Sequence, residues 1–192
     1  MANLLYLINV LGKHLNDEIP IRQLSIESNV PNTTAHRIIE QNKDLFIIKK
    51  KGNLKLVSLN TTDSITKNHL ILAERINSKK FIDKHPKFKV IKRNLPKGDY
   101  TVVLFGSRSD ETNRKKSDVD ICVVNKEGKK NIDFFQFESL YGLVVNPLFF
   151  KKTEFIAMLK EKEHNLVNEI IKKHIVLYGE EYFWNIIWEH GI

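Results

Sequence analysis

The chain has 192 residues, 42% of them hydrophobic and 28% charged, which is enough for a buried core in one mid-sized domain or two small ones. No stretch of about 18 apolar residues occurs, and the start Met1-Ala2-Asn3-Leu4-Leu5-Tyr6 lacks the basic and cleavage features of an export signal, so no membrane span is read and a cytoplasmic protein is expected. The only cysteine, Cys122, excludes a disulfide framework and a cysteine-rich zinc site. The net charge of +8 is concentrated: between residues 67 and 97 ten Lys or Arg stand against Glu74 and Asp83, a surplus that suits a polyanion or a solvated lysine-rich surface.

In chain order, Leu4, Leu5, Leu7, Ile8, Leu11 and Leu15 recur at helical spacing and predict an amphipathic helix over residues 2–16. Ile21, Leu24 and Ile26 mark the apolar side of a second segment, and Val30-Pro31-Asn32-Thr33 reads as a turn into a helix running to about Glu40. The runs Phe46–Lys50 and Leu54–Ser58 flank Lys51-Gly52-Asn53, which has the composition of a hairpin loop. This order of elements over residues 2–60 resembles winged helix-turn-helix proteins. The resemblance implies that the helix Asn32–Gln41 enters the major groove of DNA, with Thr33, Thr34, His36 and Arg37 as contacts and Lys49, Lys50 and Lys51 on the wing. Such a module serves equally as a dimerisation or docking unit.

A further helix is expected from about residue 62 to His85, then a basic connector ending at Pro96-Lys97-Gly98. Tyr100–Phe105 is an apolar, β-branched run that predicts a buried strand, and it stops at Gly106-Ser107-Arg108. Glycine lets a backbone approach a triphosphate, the serine hydroxyl and the following N–H groups donate to its oxygens, and Arg108 adds charge. Ten residues beyond Ser107, Ser117-Asp118-Val119-Asp120 leads into the apolar run Ile121–Val124. Carboxylates at i and i+2 of a strand face the same way and offer oxygen ligands to Mg²⁺, which takes one or two carboxylates together with substrate phosphates. Arg114, Lys115 and Lys116 beside them are further candidates for gripping phosphate.

Leu104–Arg108 together with Ser117–Val124 resembles the signature of the DNA polymerase β-type nucleotidyltransferases, and within them the small prokaryotic MNT-type domain. The resemblance covers residues 98–180. It implies transfer of a nucleoside monophosphate from an NTP with Mg²⁺ or Mn²⁺ as cofactor, Gly106, Ser107, Arg108 and Ser117 on the nucleotide, and Asp118 and Asp120 as catalytic metal ligands. Active relatives supply a third carboxylate from a later strand. The matching run here is Gly142–Phe149, whose polar residue is Asn146, a neutral amide that cannot accept a proton. Asp133, Glu138 and Glu154 are the substitutes within reach in sequence, the first two expected on an intervening helix and the third on the next one. Small MNT-type domains often work beside HEPN-type proteins, which the resemblance adds to NTP and DNA as partners.

Thr153 is expected to cap a helix to about Lys162, Leu166 to His174 to form another, and the aromatic tail from Ile175 to Trp188 to complete the core or form a partner interface. The fold class read is α/β (α+β): a winged helix-turn-helix over residues 1–62, a helix and basic connector over 63–97, and a small mixed-sheet nucleotidyltransferase domain flanked by helices over 98–192.

Overall fold

The computed structural model describes residues 2–15, 17–109, 117–129, 132–161 and 163–191, and they fall into two compact units, Met1–Glu74 and Arg75–Gly191. The first unit contains α1 (Ala2–Lys13), β1 (Ile19–Pro20), α2 (Ile21–Glu27), α3 (Asn32–Gln41), β2 (Phe46–Lys51) and β3 (Leu54–Leu59), with the antiparallel strand order β1-β3-β2. Its core is Leu7, Ile8 and Leu11 of α1, Leu24 of α2, Ala35 and Ile39 of α3, and Val57 and Leu59 of β3. Ile26, expected on the apolar side of α2, is 71% exposed, while Ser25 and Ser28 are buried. Helical spacing explains the exchange, because positions 21, 24, 25 and 28 share one face and position 26 does not. Both serines are satisfied there: the Ser28 hydroxyl donates to Leu24 O at 2.6 Å and the Ser25 hydroxyl to Val30 O at 2.7 Å, which closes the turn through Asn29 at φ 53°.

Helix α4 (Ser64–Lys84) runs through the boundary between the units. The stretch expected as a basic connector contains a further helix, α5 (Phe88–Asn94), whose Phe88 and Ile91 are buried against the second unit's sheet. The basic residues around them conceal this short apolar stripe in the sequence.

The second unit continues with β4 (Tyr100–Phe105), a single 3₁₀ turn Gly106–Arg108, β5 (Val119–Asn125), α6 (Phe135–Tyr141), β6 (Val145–Lys151), α7 (Lys152–Lys160), α8 (Leu166–Lys172), β7 (His174–Tyr178) and α9 (Glu180–His190). The strand order is β6-β5-β4-β7, with β5 and β6 parallel and the other pairs antiparallel. Alternation along the strands divides the sheet into two faces. Val102, Leu104, Val119, Ile121 and Val123 pack with Phe81, Ile82, Phe88, Ile91 and Phe137 on one face. Val103, Cys122, Val124 and Val176 point to the other, where Phe155, Phe183, Trp184 and Ile187 of α7 and α9 are buried. The aromatic tail therefore belongs to the core. Each such large side chain contributes about 1.5–3 kcal/mol by leaving water. Gly179, between β7 and α9 at φ +73°, has no room for a side chain, since a Cβ would lie 2.0 Å from Tyr100 O.

Strand β6 is an edge. Val119 N–H donates to Val144 O at 2.9 Å, and a ladder begun there turns the main-chain groups of residues 145, 147, 149 and 151 outward. Val145 N–H is taken by Glu138 Oε1 at 2.8 Å, Pro147 has no N–H, and Lys151 N–H is taken by Glu154 Oε2 at 2.9 Å. Three of the four outward positions thus offer no donor to another strand.

Candidate nucleotide and metal site

Strand pairing, not loop folding, brings the acidic residues to one place. Asp120 lies opposite Phe105, the last residue of β4, and beside Asn146 in β6. Asp118, two residues earlier, points to the same side. The Asn146 amide completes the cluster, with Nδ2 donating to Asp118 Oδ2 at 3.3 Å and to Asp120 Oδ1 at 3.4 Å. Gly106 turns the chain at φ +69° directly under this group, and a Cβ there would stand 2.6 Å from Asp120 Oδ2. Its glycine is needed for the left-handed backbone and for the space the carboxylate occupies.

Among the remaining expected nucleotide contacts, Ser107 is half-buried in the 3₁₀ turn and Ser117 half-buried ahead of β5. Arg108 is buried, and its guanidinium faces the main chain: Nε donates to Ser117 O and Asp118 O, each at 2.9 Å, and Nη2 also donates to Ser117 O. Burial pushes this guanidinium below its ordinary value, while the charges of Asp118 and Asp120 pull it up. Lys87, at the start of α5, is a cation that sequence spacing does not connect with the site. Burial pushes its ammonium down, and the charge of Arg108 adds to the effect. Arg114, Lys115 and Lys116 lie outside the described residues.

The three substitute carboxylates are engaged elsewhere. Asp133 lies just before α6, not within it, and its Oδ1 accepts from Phe135 N at 3.2 Å. Glu138 and Glu154, on α6 and α7 as expected, hold the two ends of β6. Among the described residues no group of three or more His, Cys, Asp or Glu converges, so the donor set is two carboxylates and an amide. Such a set fits a hard cation that shares its coordination with substrate phosphates. Cys122, in register between Val103 and Leu148, is buried, and burial pushes its thiol far up, which suits a packing role.

In the first unit, Thr33 and Arg37 are exposed on α3, and Thr34 and His36 are half-buried. Lys49, Lys50 and Lys51 are exposed on β2, where Lys49 pairs with Glu18. Glu40, at the far end of α3, takes Lys43 and Lys55, each at 3.5 Å. The described residues contain no helix long and apolar enough to cross a membrane.

No curated protein and no solved structure matches the chain. Residues 97–182, which hold β4, the 3₁₀ turn, β5 and β6, match the family model described as Polymerase beta, Nucleotidyltransferase, and this part of the chain is similar to the nucleotidyltransferase domains of that superfamily.

Proposed function

We propose that the second unit is a metal-dependent nucleotidyltransferase that moves a nucleoside monophosphate from an NTP to an acceptor, and that the first unit is a winged helix-turn-helix that brings it to DNA. The convergence of Asp118, Asp120 and Asn146 above Gly106 carries the reading. One Mg²⁺ or Mn²⁺ held by Asp118 and Asp120, when bound, neutralises the triphosphate and polarises the α-phosphate. The chain's own part is to fix the carboxylates through strand register and to offer the Ser107 hydroxyl and the 3₁₀ turn to the phosphates. The acceptor hydroxyl oxygen bonds to the α-phosphorus and its proton passes to solvent, the bond from the α-phosphorus to the bridging oxygen breaks, and pyrophosphate leaves with that oxygen.

Asn146 favours a second reading, in which the site binds nucleotide and turns it over slowly or not at all. The amide brings no charge to a second cation and takes no proton from the acceptor. In that case the protein acts as a DNA-binding regulator, or as the partner of a HEPN-type protein that the family resemblance suggests. The resemblance, the basic wing and the exposed face of α3 support the DNA contact.

Calorimetric titration with each NTP, with and without Mg²⁺, tests the first reading. Binding that needs the metal and is lost in Asp118→Ala/Asp120→Ala is the expected result, and metal-independent binding that survives both changes would sink it. Asn146→Asp separates the two readings, because restoring a third carboxylate should raise metal affinity and start or accelerate pyrophosphate release. Unchanged release in Asn146→Asp speaks against a site weakened only at that position.

A further inference from the structure

Sequence alone assigns Arg108 to phosphate, yet it is 4% exposed and commits Nε and Nη2, one edge of its planar fork, to the carbonyl oxygens of Ser117 and Asp118. We propose that Arg108 is a positioning residue: its buried guanidinium fixes the main chain at Ser117 and Asp118 and thereby sets the separation of the Asp118 and Asp120 carboxylates. The inference rests on the metal-site reading above.

The two aspartates are held differently. Asp120 lies within β5, with a strand on either side of it. Asp118 precedes the first ladder residue, Val119, whose N–H to Val144 O holds the Asp118–Val119 peptide from the β6 side, and the arginine fork adds a second main-chain anchor at the Asp118 carbonyl. The fork is itself seated. Ser109, the residue after Arg108, donates its hydroxyl to Gly106 O at 2.8 Å and to Lys173 O at 3.1 Å, tying the 3₁₀ turn to the start of β7. The strand ends thus form a chain of contacts from Lys173 through Ser109 and Arg108 to Asp118. Because the arginine donates to carbonyls, it orders the acidic pair without filling the carboxylate oxygens that a cation needs. A buried charge is retained in such a place only where several hydrogen bonds offset its desolvation. Lysine keeps the charge but has no fork, so it cannot hold both carbonyls in one plane.

The test uses the full chain and Mn²⁺ alone, without nucleotide, followed by the loss of the free-ion signal in electron paramagnetic resonance, and separately tripolyphosphate binding in Mg²⁺. Arg108→Lys is expected to lower Mn²⁺ affinity by on the order of tenfold or more, the effect typical of groups that orient metal ligands. Unchanged Mn²⁺ affinity with weakened tripolyphosphate binding would overturn the proposal and return Arg108 to the phosphates. Should wild type bind no Mn²⁺ and Asp118→Ala change nothing, the metal-site reading falls and this proposal with it. Wild-type binding that Asp118→Ala abolishes and Arg108→Lys leaves untouched overturns this proposal alone. If Arg108→Lys does not fold, the arginine Nε–H resonances of wild type decide. A protected Nε–H that stays in place as tripolyphosphate is added supports a carbonyl-bound fork, and Nε–H signals that all either exchange freely or shift overturn it.

Discussion

Tyr100 opens β4 and shows how one hydroxyl links the connector to the sheet. Its ring stacks on Tyr178 with centroids 4.7 Å apart, and its hydroxyl donates to Pro96 O. Burial pushes its pKa up to about 12, and Tyr178 adds to the rise. A phenol whose value is raised on folding contributes stability that is complete below its unfolded value near 10 and is lost as pH climbs through about 12. Melting curves from pH 9 to 12 should therefore fall less steeply for Tyr100→Phe than for wild type, although the variant starts lower by about 0.5–1.5 kcal/mol for the missing hydrogen bond. Parallel curves would remove Tyr100 from the pH dependence. At this scale the sequence is explicit about Gly106, Asp118 and Asp120, because their chemistry is tied to side-chain type. It is silent about the direction of Arg108, since nothing in a sequence says whether a guanidinium turns to solvent or to a carbonyl.

Among the elements, β4 and β5 are readable from their apolar runs, since strands buried on both faces have no polar alternation to blur them. Strand β6 is less legible, for it mixes exposed Asn146, Pro147 and Leu148 with buried Val145 and half-buried Phe149 and Phe150. Its protection is invisible in the sequence, because Glu138 and Glu154 act on β6 from two helices whose placement depends on the finished fold. Removing that protection has a measurable consequence. Pro147→Val with Glu154→Ala would expose outward donors at two positions of a strand that carries Phe149 and Phe150, and light scattering should show faster self-association at unchanged secondary structure. A double variant that stays as monodisperse as wild type would show that the capped donors do not guard the edge.

Across the whole molecule, folding redistributes the charge that the sequence concentrates. Residues Met1–Glu74 hold nine Lys and Arg against seven Asp and Glu, so the first unit carries little of the surplus of +8. The basic band of α4 and α5 meets acids far away in sequence: Arg75 reaches Glu181 at 3.7 Å and Lys92 reaches Glu180 at 3.8 Å, while Lys89 meets Asp83 at 3.7 Å. A count along the chain cannot see Glu180 and Glu181 arriving on α9, where they offset part of the band's surplus. DNA binding through the first unit would then depend on few cations. Lys50→Glu/Lys51→Glu should weaken duplex binding at all sequences and flatten the salt dependence by about 0.9 in slope for each phosphate no longer neutralised, with metal binding at Asp118 and Asp120 unaltered. Duplex affinity and slope equal to wild type would leave the wing without a role in DNA contact.

The register that joins Phe105 to His174 also governs how the protein is made. Strand β4 leaves the ribosome long before β7, and at about 5–20 residues per second the interval between those two residues lasts roughly 3–14 s. During that time β5 can pair with β4 on one side, while the other edge of β4, with its main-chain N–H and C=O groups unpaired, has no native neighbour. A nascent chain that pairs β4 with β5 in that interval would hold the acidic pair on a sheet still open at β4, where a chaperone that recognises unpaired strands would meet it.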